Sequence, residues 1–158
     1  MQNVVKMKAK RTILYGSLIA VMLIAGCIFL RAQQKDLKCM ANVRSMEYLY
    51  HAYERSHGRV PMYLEDLESM VREGDDVLPN SFKCPWSGQE YVVNPRAGSA
   101  AGPNGILIIW CPKPHPALGS LKRVSRRTVA FRDYADGGIQ NVTEREFETF
   151  SRNQREGR

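Results

Sequence analysis

Apolar and polar positions divide the chain into stretches with different periods. Ile13 to Leu30 (ILYGSLIAVMLIAGCIFL) runs 18 residues without a charge. A membrane-spanning helix takes about 20 mostly apolar residues, so residues 13–31 are expected to cross a bilayer, with Thr12 and Ala32 at its margins. Cys39, Val43, Met46, Tyr50 and Tyr53 then recur at steps of four, three, four and three. That is the stripe of an amphipathic helix over residues 33–57. No Pro or Gly interrupts residues 27–57, so the membrane helix is expected to continue into the domain that follows. Gly58 and Pro61 should stop it.

Beyond Pro61 the elements shorten. Tyr63 to Arg72 predicts a short helix with Leu64, Leu67, Met70 and Val71 on its apolar face. Residues 74–90 and 96–104, rich in Gly, Pro, Ser, Asp and Asn, read as loops. Tyr91-Val92-Val93, Gly105 to Trp110, Thr128 to Phe131 and Gly138 to Val142 read as strands. The second is apolar throughout and so a buried strand. The last two are joined by an Asp136-Gly137 turn, a hairpin signal. Thr143-Glu144-Arg145-Glu146 is a capping box opening a final helix with Phe147 and Phe150 on its inner face. The sequence thus predicts an α+β fold: a long N-terminal helix, membrane-spanning in its first half, packed on a small antiparallel β-sheet.

Charge then sets the topology. The net charge is +7, but residues 1–31 hold five of the basic side chains and no acid, and the other 127 hold 18 basic and 16 acidic ones. The basicity is therefore a feature of the N-terminus, and no nucleic-acid partner is expected. A purely positive flank before the apolar segment favours the N-terminus inside and the C-terminus outside. The expected organisation is a cytoplasmic basic leader at 1–12, a transmembrane helix at 13–31, an exported domain at 32–150 and a flexible tail at 151–158, which has no apolar residue to bury. A second fate is open. Ile24-Ala25-Gly26-Cys27 fits the pattern for cleavage before Cys27 and lipidation of its thiol, although the apolar run continues through Ile28, Phe29 and Leu30.

Candidate chemistry is sparse. Three cysteines, Cys39, Cys84 and Cys111, lie outside the apolar span, in what this topology makes an oxidising compartment. Cys84 and Cys111 each precede a proline and stand 27 positions apart, and a disulfide between them is expected. Cys39 is then a buried apolar residue or the true partner of one of the others. A zinc site from Cys84, Cys111 and His115 lacks the Cys-x-x-Cys knuckle usual for structural zinc, so no metal is expected there. Asp133 and Asp136 are weak calcium candidates, but the EF-hand pattern is absent. His51 and His57 sit at the end of the long helix, where His51 reads as a solvated side chain and His57 as a loop residue near the helix C-terminus, a place where a cation suits the helix dipole. Lys122, Arg123, Arg126, Arg127 and Arg132 cluster around one strand, as solvated edge charges or as a contact for an acidic partner. No phosphate loop, nucleophile elbow or His-Glu-x-x-His is present, so neither enzymatic activity nor a cofactor is expected.

An ordered set of these features resembles the type II secretion and type IV pilin-like (pseudopilin) proteins. Cys39-Met-Ala-Asn-Val leads the helical stripe, and Gly58-Arg-Val-Pro61 follows it. Phe82-Lys-Cys-Pro85, Cys111-Pro112, His115, the Thr128–Phe131 strand, Asp136-Gly137 and Glu146-Phe147 come in the family's order. The resemblance covers residues 39–150. It implies a pilin-like fold, a single pass through a bacterial inner membrane with a periplasmic C-terminal domain, a non-enzymatic role in protein secretion or pilus-like assembly, and other pilin-like or secretion-system proteins as partners beside the lipid bilayer. The chain departs from the family at its N-terminus. Gly16 is followed by Ser17, the fifth position is Val21 rather than Glu, and no Glu lies in the apolar span. The turn reads Asp136-Gly137-Gly138 where many relatives place a His third. A monomeric, anchored or lipidated extracytoplasmic binding module with this fold is the alternative.

Overall fold

A computed structural model of the chain describes residues 2–71, 81–97, 106–116, 125–132 and 138–156, with side chains from Tyr15 onward. It divides into two compact units, Met1–Gln34 and Lys35–Arg158. Helix α1 covers Gln2–His57. In the first unit its apolar side chains, such as Leu18, Met22, Leu23 and Phe29, are exposed. Within α1 the segment from Tyr15 onward contains a wholly unburied apolar window long enough to cross a membrane.

In the second unit the predicted stripe is the core. Cys39, Val43, Met46 and Tyr50 are fully buried and Tyr53 nearly so. Each large side chain in such a stripe contributes roughly 1.5–3 kcal/mol by leaving water. The helix ends as Gly58 takes a left-handed φ of 66° and its N–H bonds back to the Glu54 carbonyl at 2.9 Å, the usual glycine stop. Helix α2 is only Leu64–Glu68. Met70 and Val71, expected inside it, follow in a turn and still pack on the core with Leu64 and Leu67.

The sheet is antiparallel and has five strands: β1 (Val92–Val93), β2 (Ile106–Trp110), β3 (His115–Pro116), β4 (Ser125–Arg132) and β5 (Ile139–Thr143). Strand β4 organises it. Arg126 pairs with both His115 and Thr143, and Ala130 with both Ile109 and Ile139. Strands β2 and β3 therefore share one edge of β4 and β5 takes the other. The expected β4–β5 hairpin forms, although its Asp136-Gly137 turn lies outside the described residues.

The continuous apolar run of β2 has a structural reason: both faces of the strand are covered. Ile106, Ile108 and Ile109 join the core that includes the α1 stripe. Leu107 joins Val129, Phe131 and Val142, with Trp110, Phe147 and Phe150 packed against them. Two consecutive residues, Ile108 and Ile109, face α1 because the register with β4 slips between Leu107 and Ile109. Such a bulge inserts one residue and re-aims the side chains that follow.

Helix α3 (Glu144–Glu156) covers the second face. Its capping box forms as predicted. Thr143 N and Oγ1 donate to Glu146 Oε2 at 2.7 and 2.8 Å, and Glu146 N donates to Thr143 Oγ1 at 3.3 Å. The expected frayed tail is corrected in part, because α3 continues through Ser151 to Glu156. Gln154 holds this last stretch: its Nε2 donates to the Leu107 carbonyl at 3.4 Å and its Oε1 accepts from Asn94 at 3.4 Å.

Two predictions follow from this packing. Gly138 begins the second arm of the hairpin, and its carbonyl accepts from Phe131 N at 2.5 Å. A Cβ there would collide with the Glu47 carboxylate and stand 2.5 Å from the Phe131 carbonyl oxygen. Gly138→Ala should therefore cost about 1–3 kcal/mol, read as a lower denaturant midpoint for the full chain in detergent. The hydrogen bonds from the Thr143 backbone and hydroxyl hold the Glu146 carboxyl below its usual value. A depressed carboxyl stabilises fully above its unfolded pKa and loses that contribution as pH falls through the folded value. Unfolding followed from about pH 5 to pH 3, around the usual Glu pKa, should show a shallower acid decline for Glu146→Gln.

Candidate functional site

The α1 face of the sheet carries a knot of buried sulfur. Cys39 reaches it from α1, where the stripe opens. Cys111 follows the last residue of β2, and its N–H donates to the Thr128 carbonyl at 3.0 Å. Cys84 sits in the tight turn Cys84–Gln89, closed by Gly88 N to Cys84 O and Cys84 N to Gln89 O, both 2.8 Å. Gly88 permits that closure with a φ of 68°. His115 comes from β3, the two-residue strand that sequence reasoning missed.

The distances are short. Cys39 Sγ lies 3.0 Å from Cys111 Sγ, and Cys111 Sγ lies 3.5 Å from Cys84 Sγ. His115 Nε2 is 4.0 Å from Cys39 Sγ and 3.4 Å from Thr128 Oγ1. Thr128 Oγ1 is also 3.4 Å from Cys39 Sγ, and Tyr91 OH donates to that sulfur at 3.3 Å. All three cysteines and His115 are buried, and all three are free thiols. The structure thus brings Cys84 and Cys111 together, as the sequence led us to expect, but unbonded and with Cys39 nearer to Cys111 than Cys84 is. Cys27, the lipidation candidate, is an exposed thiol in the first unit.

Electrostatics sort the three thiols. Cys84 is held far below the usual thiol value. Hydrogen bonds from Cys111 and Cys39 lower it, burial opposes them, and the backbone N–H groups of Ser87 and Trp86 add to the lowering. Cys111 is pushed up by its contacts with Cys39 and Cys84 and by burial. Cys39 is pushed up to about 11: the contact with Cys111 lowers it, but Cys84 and burial outweigh that. Within the knot, Cys111 Sγ is placed to donate to Cys84 Sγ. Burial lowers His115 and keeps the imidazole neutral, although Asp36 and Cys84 pull the other way.

A second layer holds the histidine. Asp36 Oδ1 lies 3.4 Å from His115 Nδ1, within ion-pair range but off the alignment of a hydrogen bond, and the nitrogen has no aligned partner among the described residues. The same oxygen accepts from Trp86 Nε1 at 2.7 Å. The Trp86 ring stacks on the imidazole at 5.6 Å and 6°, and Lys35 Nζ stands 5.2 Å from its centre.

The other predicted residues separate from this knot. Arg127, read as part of a basic cluster, is a structural clamp on the α3 face. Its Nε and Nη2 make a bidentate pair with Glu144 at 2.8 and 2.6 Å, and its Nη1 donates to the Cys111 and Pro112 carbonyls at 3.1 and 2.7 Å. Its guanidinium lies over Phe147 at 4.5 Å. Arg132 pairs with Glu54 at 2.8 Å. Arg126 is exposed, and Lys122 and Arg123 lie outside the described residues, as do the calcium candidates Asp133 and Asp136. His51 sits 3.7 Å from Glu54. His57 stacks on Tyr53 with ring centres 4.1 Å apart.

Comparison with protein-family models, with known proteins and with solved structures finds no match. The reading of this chain therefore rests on its own residues. Three sulfurs and an imidazole from four separate elements can pair oxidatively or enclose a cation, and their position ties α1 to the sheet.

The clamp beside the knot gives a prediction. Lysine lacks the planar fork that Arg127 uses on Glu144 and on two carbonyls. Arg127→Lys should cost about 1–2 kcal/mol and lower the thermal midpoint of the full chain. Arg126→Lys, on the same strand but exposed, should leave it unchanged.

Proposed function

We propose that the protein is a membrane-anchored, pilin-like structural protein of a type II secretion or type IV pilus-like assembly, held in a bacterial inner membrane with residues 32–150 on the periplasmic side. One observation carries this reading: a single helix, α1, is apolar and exposed from Tyr15 to Leu30, and from Cys39 onward carries the stripe that the sheet buries. One helix thus offers an apolar stretch to lipid and a buried stripe to a folded domain. That is the arrangement an assembling subunit requires, and the ordered motifs from Cys39 to Phe147 resemble that family.

The alternative is a monomeric anchored binding module, and one feature favours it. No carboxylate precedes Asp36 in the chain, and Asp36 is engaged by Trp86 and faces His115. The apolar segment thus offers no acidic side chain to guide one copy onto another.

Photo-crosslinking separates the two. A benzophenone amino acid in place of Leu23, which is exposed on α1, is activated in membranes of cells producing the full chain. Assembly gives a ladder of chain multiples beyond the dimer. Monomer alone sinks the assembly reading and leaves the binding module. Intact mass of the same material reports processing: a chain starting at Ser17 supports entry into a pilus-like assembly, and one starting at acylated Cys27 makes it a lipoprotein.

A further inference from the structure

We propose that Cys39, Cys84, Cys111 and His115 form a buried Cys3His site for a single zinc ion. The proposal is independent of how the chain assembles and rests on three separate features of the knot.

The first is the donor set and its spacing. One ligand atom from each of Cys39, Cys111 and His115 lies within 4.8 Å of the others, and Cys84 Sγ lies 3.5 Å from Cys111 Sγ. Tetrahedral zinc with Zn–S of about 2.3 Å and Zn–N of about 2.0–2.1 Å sets neighbouring sulfurs about 3.8 Å apart and sulfur and nitrogen about 3.5 Å apart. The two observed sulfur pairs, at 3.0 and 3.5 Å, are shorter than that sulfur edge, and the sulfur–nitrogen distance of 4.0 Å is longer than the other. Cys84 stands outside the group of three and completes a four-ligand site by moving in toward the ion from its contact with Cys111. Three thiolates and a neutral imidazole are ligands that suit zinc rather than calcium or magnesium.

The second feature is the turn that carries Cys84. The N–H groups of Trp86 and Ser87 point at its sulfur, and Gly88, at φ 68°, folds the chain back to complete the turn. Successive N–H groups converging on one atom make a nest for negative charge, as at many iron–sulfur and phosphate sites. An ordinary buried thiol has no use for one. The sequence signal for zinc was missing because this knuckle has Ser87 in place of a second cysteine. Cys111 and Cys39 supply the other sulfurs from far along the chain.

The third feature lies behind His115. Nε2 faces the sulfurs, while Nδ1 faces Asp36, which Trp86 holds from the other side. A carboxylate behind a ligating histidine fixes the ring and its tautomer and raises its basicity. Asp36 is a positioning residue here, not a ligand.

A disulfide accounts for less of this. Any pair among the three sulfurs leaves the third thiol, the imidazole and the nest without a role. Binding zinc uses all of them, with the three thiols giving their protons to solvent.

The test uses the full chain, carrying Cys27→Ser so that only the buried thiols are counted, purified in detergent without chelator. Elemental analysis should find one zinc per chain. Cobalt(II) substitution should give the d–d bands of a tetrahedral site with thiolate-to-cobalt charge transfer. Alkylation after denaturation with chelator should modify three thiols. Cys84→Ser should abolish stoichiometric zinc. Should that variant fail to fold, Asp36→Asn carries the test: it should fold, keep one site, and bind zinc about 10–100-fold more weakly in competition with a chromophoric chelator. A chain without zinc overturns the proposal, whether its thiols are free or two are lost to a disulfide. So does zinc whose affinity neither substitution changes, which would be an adventitious ion only.

Discussion

The second unit depends on one contact: the seating of the Cys39–Tyr53 stripe of α1 on the sheet face formed by Ile106, Ile108, Ile109 and Ala130. A sheet of short strands buries little by itself, and a single layer of helix on one face leaves the other wet. Here α3 covers the second face, so β2 is buried on both sides and its apolar run is required rather than tolerated. The bulge at Ile108–Ile109 reconciles the two layers by giving the α1 core an additional side chain. The Arg127 clamp then joins the layers in polar terms, since one side chain engages Glu144 on α3 and the carbonyls that follow β2.

Much of this was legible in the residues because it is periodic or local. The α1 stripe repeats at helical spacing, the capping box needs only Thr143 and Glu146, and Gly58 stops the helix by its own backbone. What escaped is non-local. Strand β3 is two residues long and includes a proline, so no alternation announces it; it exists because β4 offers an open edge at Ser125 and Arg126. The last turns of α3 lack apolar residues and read as a frayed tail, yet Gln154 reaches Asn94 and Leu107 across the fold. Arg127 looked like its neighbours until Glu144 came opposite it.

The sulfur knot shows why a site can hide inside a fold whose α+β outline is legible in the residues. Cys39 belongs to the stripe, and the periodicity that marked it as core made its thiol look incidental. Cys84 and Cys111 were paired by their matching prolines, and His115 had no element to stand on. Only the seating of α1 puts the Cys39 sulfur beside Cys111, and only the β3–β4 pairing turns His115 toward both. Chemistry at this site is thus a product of tertiary structure: four elements, none with a motif of its own, meet at one point.

The position of the knot also bears on what it does for the protein. Its members span residues 39 to 115, and joining them closes long loops, which costs entropy once but holds the turn at Cys84, the end of β2 and β3 to the helix together. Apolar packing alone could hold α1 to the sheet, but it is non-directional and would tolerate a helix rotated or slipped by a turn. Four directional donors do not. The most geometrically demanding contact sits at Cys39, the first fully buried residue of the stripe, and so fixes the helix where its buried face begins.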